Sequence, residues 1–421
     1  MRPTSLRVKV PPISTFLALA LMVLFVSFPT IGRLRGLLVY AFGAYMLLQL
    51  MIQRTGIRWG HTVWILGFYL MGAFSQYWAY LPAAVVLIKN SFTFAMILSW
   101  SFGEYIYQKE KGLEDISKLM QLMAVVLIAN FILNLDIRNG RFSTSSNANT
   151  LGMNGAYMFG FILYMSKKHR WRNILEDILL VVLVVVVLLT GSRKALMMLA
   201  IFVTAFFLFW SREKADANTI FRIIGLAAAA ITAILLIMNV PVLYDALGNR
   251  LESMFRYVVY GEQVDSSAIT RRKMLEIGMR MFLNINPVFG SGLNNYKYLS
   301  GYLTYSHNNY MELLCSLGVV GTLLYYIPLV ILSIQAINLW RKRVPGAIVP
   351  VTILLMQFVI DTGMVSYYSA NNHIFLGITI GLMDLLKRKQ REKEALEEEE
   401  WEEQLEALDE ERKEALRNEA V

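Results

Sequence analysis

Two short polar stretches stand where apolar helices are predicted to begin. His307 lies in Ser306-His307-Asn308-Asn309-Tyr310, ahead of a long apolar run. The positive end of a helix dipole lowers a histidine pKa and favours the neutral ring, which can take a proton from a hydroxyl. Arg193 and Lys194 follow Thr190-Gly191-Ser192 at the start of another apolar run. Unsatisfied N–H groups at such an end make a seat for an anion. Gly191 permits close backbone approach, and the planar guanidinium of Arg193 suits phosphate oxygens. The bland alternatives are an arginine snorkelling to headgroups and a histidine that only caps its helix.

Other candidates are weaker. Arg271 and Arg272 stand together in a long polar connection and can reach a second phosphate or a glycan, or simply be solvated. Lys89 is predicted a short way inside the outer end of an apolar helix, where an ionisable residue is a functional candidate by default. Asp361 and Gln357 are lesser cases of the same kind, and His61, His169 and His373 are assigned no chemistry. The single cysteine, Cys315, excludes an intramolecular disulfide and reads as packed and inert. The sequence holds no Walker loop, no HExxH, no dinucleotide-binding glycine pattern and no carboxylate cluster suited to a metal, so no metal and no cofactor is expected.

The elements that must position these residues are membrane helices. Of 421 residues, 56% are hydrophobic and 17% charged, against about a quarter charged in soluble domains. Mean hydropathy is +0.48. Apolar segments fall near 14–32, 36–53, 62–80, 83–106, 119–136, 151–166, 174–190, 195–211, 220–240, 310–338, 346–366 and 372–386. Their length suits a bilayer of about 30 Å, giving an all-α polytopic chain of about twelve spans. With the N-terminus in the cytoplasm, the inside loops carry Arg54 and Arg58, then Lys109, Lys111 and Lys118, then Lys167 to Arg172, Arg212 and Lys214, Arg341 to Arg343, and Lys387 to Lys389. That follows the positive-inside rule, with Arg33 and Arg35 as the mild exception. The net charge of +9 is therefore topological and does not point to nucleic acid.

Residues 1–386 read as one transmembrane domain whose long outer loop spans 241–309. Loops of that length are usually functional. Within it, Ile269, Leu275, Ile277 and Phe282 recur among Arg271, Arg272 and Arg280 as an interfacial helix would. Residues 387–421 differ in kind: eight basic and fourteen acidic residues give a net −6, with Trp401, Leu405, Leu408 and Leu416 at near-helical spacing. That is a cytoplasmic charged helical tail, able to recruit a partner.

Four blocks, in order, carry a resemblance. They are Arg141-Phe142-Ser143 through Ser146-Asn147-Ala148-Asn149-Thr150-Leu151-Gly152; Thr190-Gly191-Ser192-Arg193-Lys194-Ala195-Leu196; Asn286-Pro287-Val288-Phe289-Gly290-Ser291-Gly292-Leu293-Asn294-Asn295-Tyr296; and Ser306-His307-Asn308-Asn309-Tyr310-Met311-Glu312-Leu313-Leu314 with Leu317-Gly318-Val319-Val320-Gly321. The sequence resembles the O-antigen ligase and polymerase superfamily of bacterial lipid-linked glycan transferases. The resemblance covers roughly residues 140–325; the tail lies outside it.

The resemblance implies a GT-C-like glycosyltransferase in the bacterial cytoplasmic (inner) membrane, multi-pass, with both termini cytoplasmic and the active site extracytoplasmic. Its donor would be an undecaprenyl-pyrophosphate-linked glycan, with neither nucleotide sugar nor bound metal. His307 would be the general base and Arg193 would neutralise the leaving pyrophosphate. The family's loop arginine falls on Arg271 or Arg272: Arg272 is read as catalytic and Arg271 as substrate-binding, with the choice open. Lys194, Lys89, Asn308 and Asn294 are read as further substrate contacts. The expected partners are the lipid-linked glycan, membrane lipids and, through the tail, other polysaccharide-synthesis proteins. Polymerisation of repeat units is the preferred activity. The alternatives are a ligase passing finished glycan to lipid A-core or another acceptor, and a lipid-linked sugar transporter. A transporter would favour two related halves and interrupted helices at the midplane, and neither is evident.

Overall fold

A computed structural model of the chain describes residues 12–27, 32–53, 58–109, 113–138, 141–143, 147–165, 170–210, 217–241 and 266–419, with scattered positions between 244 and 260. Each of the twelve apolar segments is helical over most of its described residues. In chain order these are α1 (Pro12–Met22, continued by a wider π-type turn over Val23–Ser27), α2 (Gly32–Gln53), α3 (Trp59–Phe74), α4 (Pro82–Tyr107), α5 (Leu113–Leu133), α6 (Ala148–Met165), α7 (Arg170–Leu189), α8 (Arg193–Trp210) and α9 (Ala217–Asn239). After the long connection come α10 (Ser266–Asn284), the short α11 (Asn295–Leu299), α12 (Asn309–Arg341), α13 (Ile348–Asp361) and α14 (Ala370–Glu419). α2, α4, α5 and α12 are long and apolar enough, by length and composition alone, to cross a membrane. The chain is an all-α membrane protein.

The only strands among the described residues form a small hairpin. β1 (Asp136–Arg138) pairs antiparallel with β2 (Arg141–Ser143), Ile137 opposite Phe142. The loop residues Arg54, Lys111, Lys167, Lys168, His169, Arg212, Lys214 and Ser146 lie outside the described residues, as does much of the span 241–265.

α4 and α14 pack backbone to backbone, with Gly377 and Gly381 against the carbonyls of Ser99 and Gly103. Small residues at such positions let apolar helices approach closely where no hydrophobic force drives them together. Around this pair, α3 and α12 close one flank, through Phe68 and Tyr325 with ring centroids 5.0 Å apart. α6 is held between α5, α7 and α8 on the other.

α12 has two interruptions, each with an identifiable cause. At Gly318 the backbone leaves the helix (φ 65°, ψ −165°). At Pro328 the missing N–H orphans the carbonyl four residues back, and the Trp64 indole donates to that Leu324 carbonyl at 3.1 Å. Beyond Asp384, α14 continues without a break past Lys387 into the charged segment. Leu396, Trp401, Leu405 and Leu408 are exposed there, while the side chain of Leu416 lies outside the described set.

Candidate active site

At one end of the bundle the starts of α8 and α12 meet the end of α13, and α10 lies across them. The chain enters α8 through a capped turn. Gly191 has φ 57°, and the Ser192 hydroxyl accepts weakly from the Ala195 amide at 3.4 Å. The Gly-Ser-Arg order thus has a structural reading: a left-handed turn, an N-cap, then Arg193 as the first helical residue. Arg193 is exposed there. Lys194 is half-buried, its stem running over Gly363.

α12 begins with a second, tighter arrangement. Asn308 is the N-cap, its Oδ1 accepting from Met311 N at 2.9 Å, while its Nδ2 donates to the Thr362 carbonyl at 3.2 Å and ties α12 to the end of α13. Buried Glu312 reaches back, Oε2 accepting from Ser306 N at 2.7 Å. The Ser306 hydroxyl donates to the Asn308 carbonyl at 2.7 Å. His307, fixed from both sides, is held at φ 58°, a conformation costly for a residue with a Cβ and concentrated at functional sites. Tyr305 covers its ring at a centroid distance of 4.4 Å.

α10 carries the arginines. Its apolar side packs on α12 through Met274, Met311 and Cys315. The Tyr296 hydroxyl donates to the Met274 carbonyl at 2.8 Å, and the Cys315 thiol donates to the Gly278 carbonyl at 3.1 Å. This docking distinguishes two adjacent residues. The positive charge of Arg271 acts on both His307 and Tyr305. Arg272 turns to Glu276, at 3.4 Å on the exposed side of the same helix. Partial burial first, then the charges of Arg271 and Lys194, push the His307 pKa down to about 4. At neutral pH the ring is an uncharged base facing two cations.

The glycine-rich strap 286–296 braces this end. The Asn286 side chain accepts from Phe289 N at 3.0 Å and begins a turn, from which Val319 and Val320 of α12 donate to the Pro287 and Val288 carbonyls at 2.9 and 3.1 Å. Ser291 and Gly292 donate to the Cys315 and Ser316 carbonyls at 2.8 and 2.9 Å. A side chain at Gly290 would strike the Ser316 backbone, and one at Gly318 would strike the Val288 carbonyl. Both glycines also have positive φ. The strap and the break in α12 therefore require each other.

Three of the residues expected to contact substrate stand apart from the cluster or in supporting positions. Asn294, at φ 63°, donates to the Ala84 carbonyl at 3.0 Å and pins the strap to α4. Lys89 is exposed on α4 and takes no part in the interactions that join the cluster. Asn308 is occupied as a cap and tether. Residue type alone does not mark Tyr305 or Glu312, although Glu312 stands five residues after His307. Beneath the site, buried Asp361 accepts from Tyr326 Oη at 2.8 Å, Asn309 Nδ2 at 3.1 Å and Gln357 Nε2 at 2.8 Å. That polar floor accounts for Asp361 and Gln357, two polar residues inside an apolar helix.

With this geometry in place, comparison with known families adds one match. The family described as O-antigen ligase matches residues 178–326. The chain resembles the O-antigen ligases. The matched segment runs from α7 into α12 and includes Arg193, Lys194, Arg271, Arg272, Asn294, His307 and Asn308; Lys89 and the 141–152 block fall outside it. The likeness is to ligase-like or polymerase-like processing of lipid-linked glycans. No curated protein matches the chain.

Proposed function

We propose that the chain polymerises lipid-linked oligosaccharide repeat units, moving glycan from undecaprenyl pyrophosphate to a sugar hydroxyl at the outer face of the bacterial cytoplasmic membrane. The twelve apolar helices span the bilayer in this reading, with both termini cytoplasmic. The observation that carries it is the placement of His307, an uncharged imidazole held in a left-handed conformation beside two fixed cations. His307 takes the proton of the acceptor hydroxyl as that oxygen forms its bond to the anomeric carbon. The carbon–oxygen bond to the pyrophosphate breaks, and the electron pair leaves with it. Arg271, Lys194 and Arg193 meet the charge that develops there; fixed cations aimed at developing charge are an effective source of rate enhancement. Of the two loop arginines, Arg271 is assigned to this role, because Arg272 is engaged with Glu276.

A ligase reading, with finished glycan passed to lipid A-core or another acceptor, is favoured by the description of the matching family. One experiment separates the two. Purified wild type and His307→Ala receive undecaprenyl-pyrophosphate-linked repeat units, and products are resolved on a gel. A ladder from wild type that His307→Ala abolishes, with folding intact, supports polymerisation and the base. Transfer only when a separate acceptor is added supports the ligase. A ladder unchanged in His307→Ala overturns the role of His307.

A further inference from the structure

At the opposite end of the bundle a second charged cluster has no part in the transfer. Arg58, at the N-cap of α3, donates from Nε to Glu104 at 2.9 Å and from Nη1 to Asp384 at 2.7 Å. Its guanidinium lies 5.1 Å from the Tyr107 ring, and Arg388 lies 4.8 Å from the same ring. These contacts form one end of a cavity of about 580 Å³ between α3, α4, α12 and α14.

The cavity wall has two characters. Trp59, Pro328 and Ile331 make an apolar side, with Trp59 and Ile331 exposed toward the surroundings of the bundle. Lys387, Arg388 and Arg391 line the other side. They occupy about one turn of α14, where i, i+3 and i+4 positions share a face. Asp384 is paired with Arg58 and lies 3.3 Å from Lys387, and Glu392 lies 3.8 Å from Arg388; with Arg58, the lining still holds four basic residues against these two acidic ones. The start of α3 also lines the cavity, and Arg58 makes no side-chain cap there. Helix-initial N–H groups and their dipole favour an anion at such a place. His61 is buried beside it, with Nε2 unpartnered among the described residues.

We infer that this cavity holds the phosphate headgroup of an anionic membrane lipid, with its acyl chain lying along Trp59, Pro328 and Ile331. A cationic rim, an uncapped helix start and an apolar wall match the two halves of such a molecule, and a free anion would have no use for the wall. The site lies where α14 changes from a bundle helix to a charged extension. A lipid seated there ties that helix to α3. This assignment does not depend on the glycan transfer.

The test uses the full chain in a neutral detergent. Thermal melting is followed with phosphatidylglycerol, with phosphatidylcholine and with inorganic phosphate, and lipid retention is read by native mass spectrometry. Phosphatidylglycerol is expected to be retained and to raise Tm, with phosphatidylcholine and inorganic phosphate giving neither effect. Arg388→Gln/Arg391→Gln should weaken phosphatidylglycerol binding roughly tenfold or more, given the usual worth of a basic residue near anionic lipid. Arg391→Gln alone, at an exposed position, gives a smaller loss in the same direction and guards against misfolding of the double variant. Equal effects of phosphatidylcholine, full reproduction by inorganic phosphate alone, or unchanged retention in both variants would each overturn the assignment.

Discussion

The electrostatic coupling at His307 has a kinetic signature that can be worked through. With its pKa pushed down to about 4 by burial and by Arg271 and Lys194, the ring in the free protein stays neutral far below the usual range. At pH 5.5 about 97% is uncharged, against about 9% for an ordinary histidine near 6.5, roughly a tenfold difference in the competent form. The acid limb of kcat/KM, which reports the free enzyme, is therefore expected near pH 4. The limb of kcat should lie higher: once the donor is bound, its pyrophosphate charge offsets the two cations, and the proton affinity of His307 rises. Arg271→Gln removes one cation but not the burial, so its kcat/KM limb should move up part of the way toward 6.5. The sign is fixed, since removing a positive neighbour can only make protonation easier. The assay is initial rate against pH between 4 and 8, with saturating and subsaturating donor. A wild-type kcat/KM limb at an ordinary histidine value, or an Arg271→Gln limb that does not move, would refute the argument.

Other perturbations read other parts of the structure. Gly318→Ala should cost about 3 kcal/mol or more, combining a glycine-only backbone conformation with a blocked contact at Val288. Gly225→Ala, with nothing near its Cβ, should be neutral or stabilise by up to about 1 kcal/mol in thermal melts. Arg58→Met should cost about 3–5 kcal/mol, because it strands the fully buried carboxylate of Glu104; a melting temperature within a degree of wild type would contradict that. Trp64→Phe should cost about 1–3 kcal/mol by orphaning the Leu324 carbonyl. The cost should shrink in a Pro328→Ala background, where a backbone N–H can resume the bond; equal costs in both backgrounds would dismiss the compensation. Deleting the residues after Gln390 tests recruitment by the tail, which requires polymer export in cells to fall while transfer in vitro persists.

Much of this architecture is legible in the sequence, because apolar blocks of bilayer length and the polar residues that cap them are local signals. The starts of α8 and α12 fall where Ser192-Arg193 and His307-Asn308 announce them, and the α10 pattern marks a real helix. What escapes is decided by tertiary contact. Arg271 and Arg272 are neighbours on one helix, about 100° apart around its axis, and only the docking of Met274 on α12 separates them. Asn294 and Asn308 look alike as substrate ligands and as structural amides, since both roles ask for the same donor and acceptor; the structure uses one as an anchor to α4 and the other as a cap. The hairpin has a local signal as well, since Asn139-Gly140 between short β-compatible stretches is a strong hairpin indicator.

The length of α12 links fold to site. Thirty-three residues at 1.5 Å each would make a rod of about 50 Å, well beyond a hydrocarbon core of about 30 Å. The break at Gly318 resolves the excess. Residues before it form a separate short helix that is capped by Asn308 and bears Glu312 and Cys315, and residues after it make the long apolar arm. Because the strap 286–296 bonds to the backbone on both sides of the break, it fixes the angle of the short segment. α10 then docks on that segment and not on the arm. The position of Arg271 relative to His307 thus depends on two glycines, Gly290 and Gly318, neither of which is among the groups assigned to the chemistry. A substitution at either glycine mild enough to leave a folded chain should therefore lower kcat and move the His307 titration together. A change in one without the other would place the origin of the coupling elsewhere.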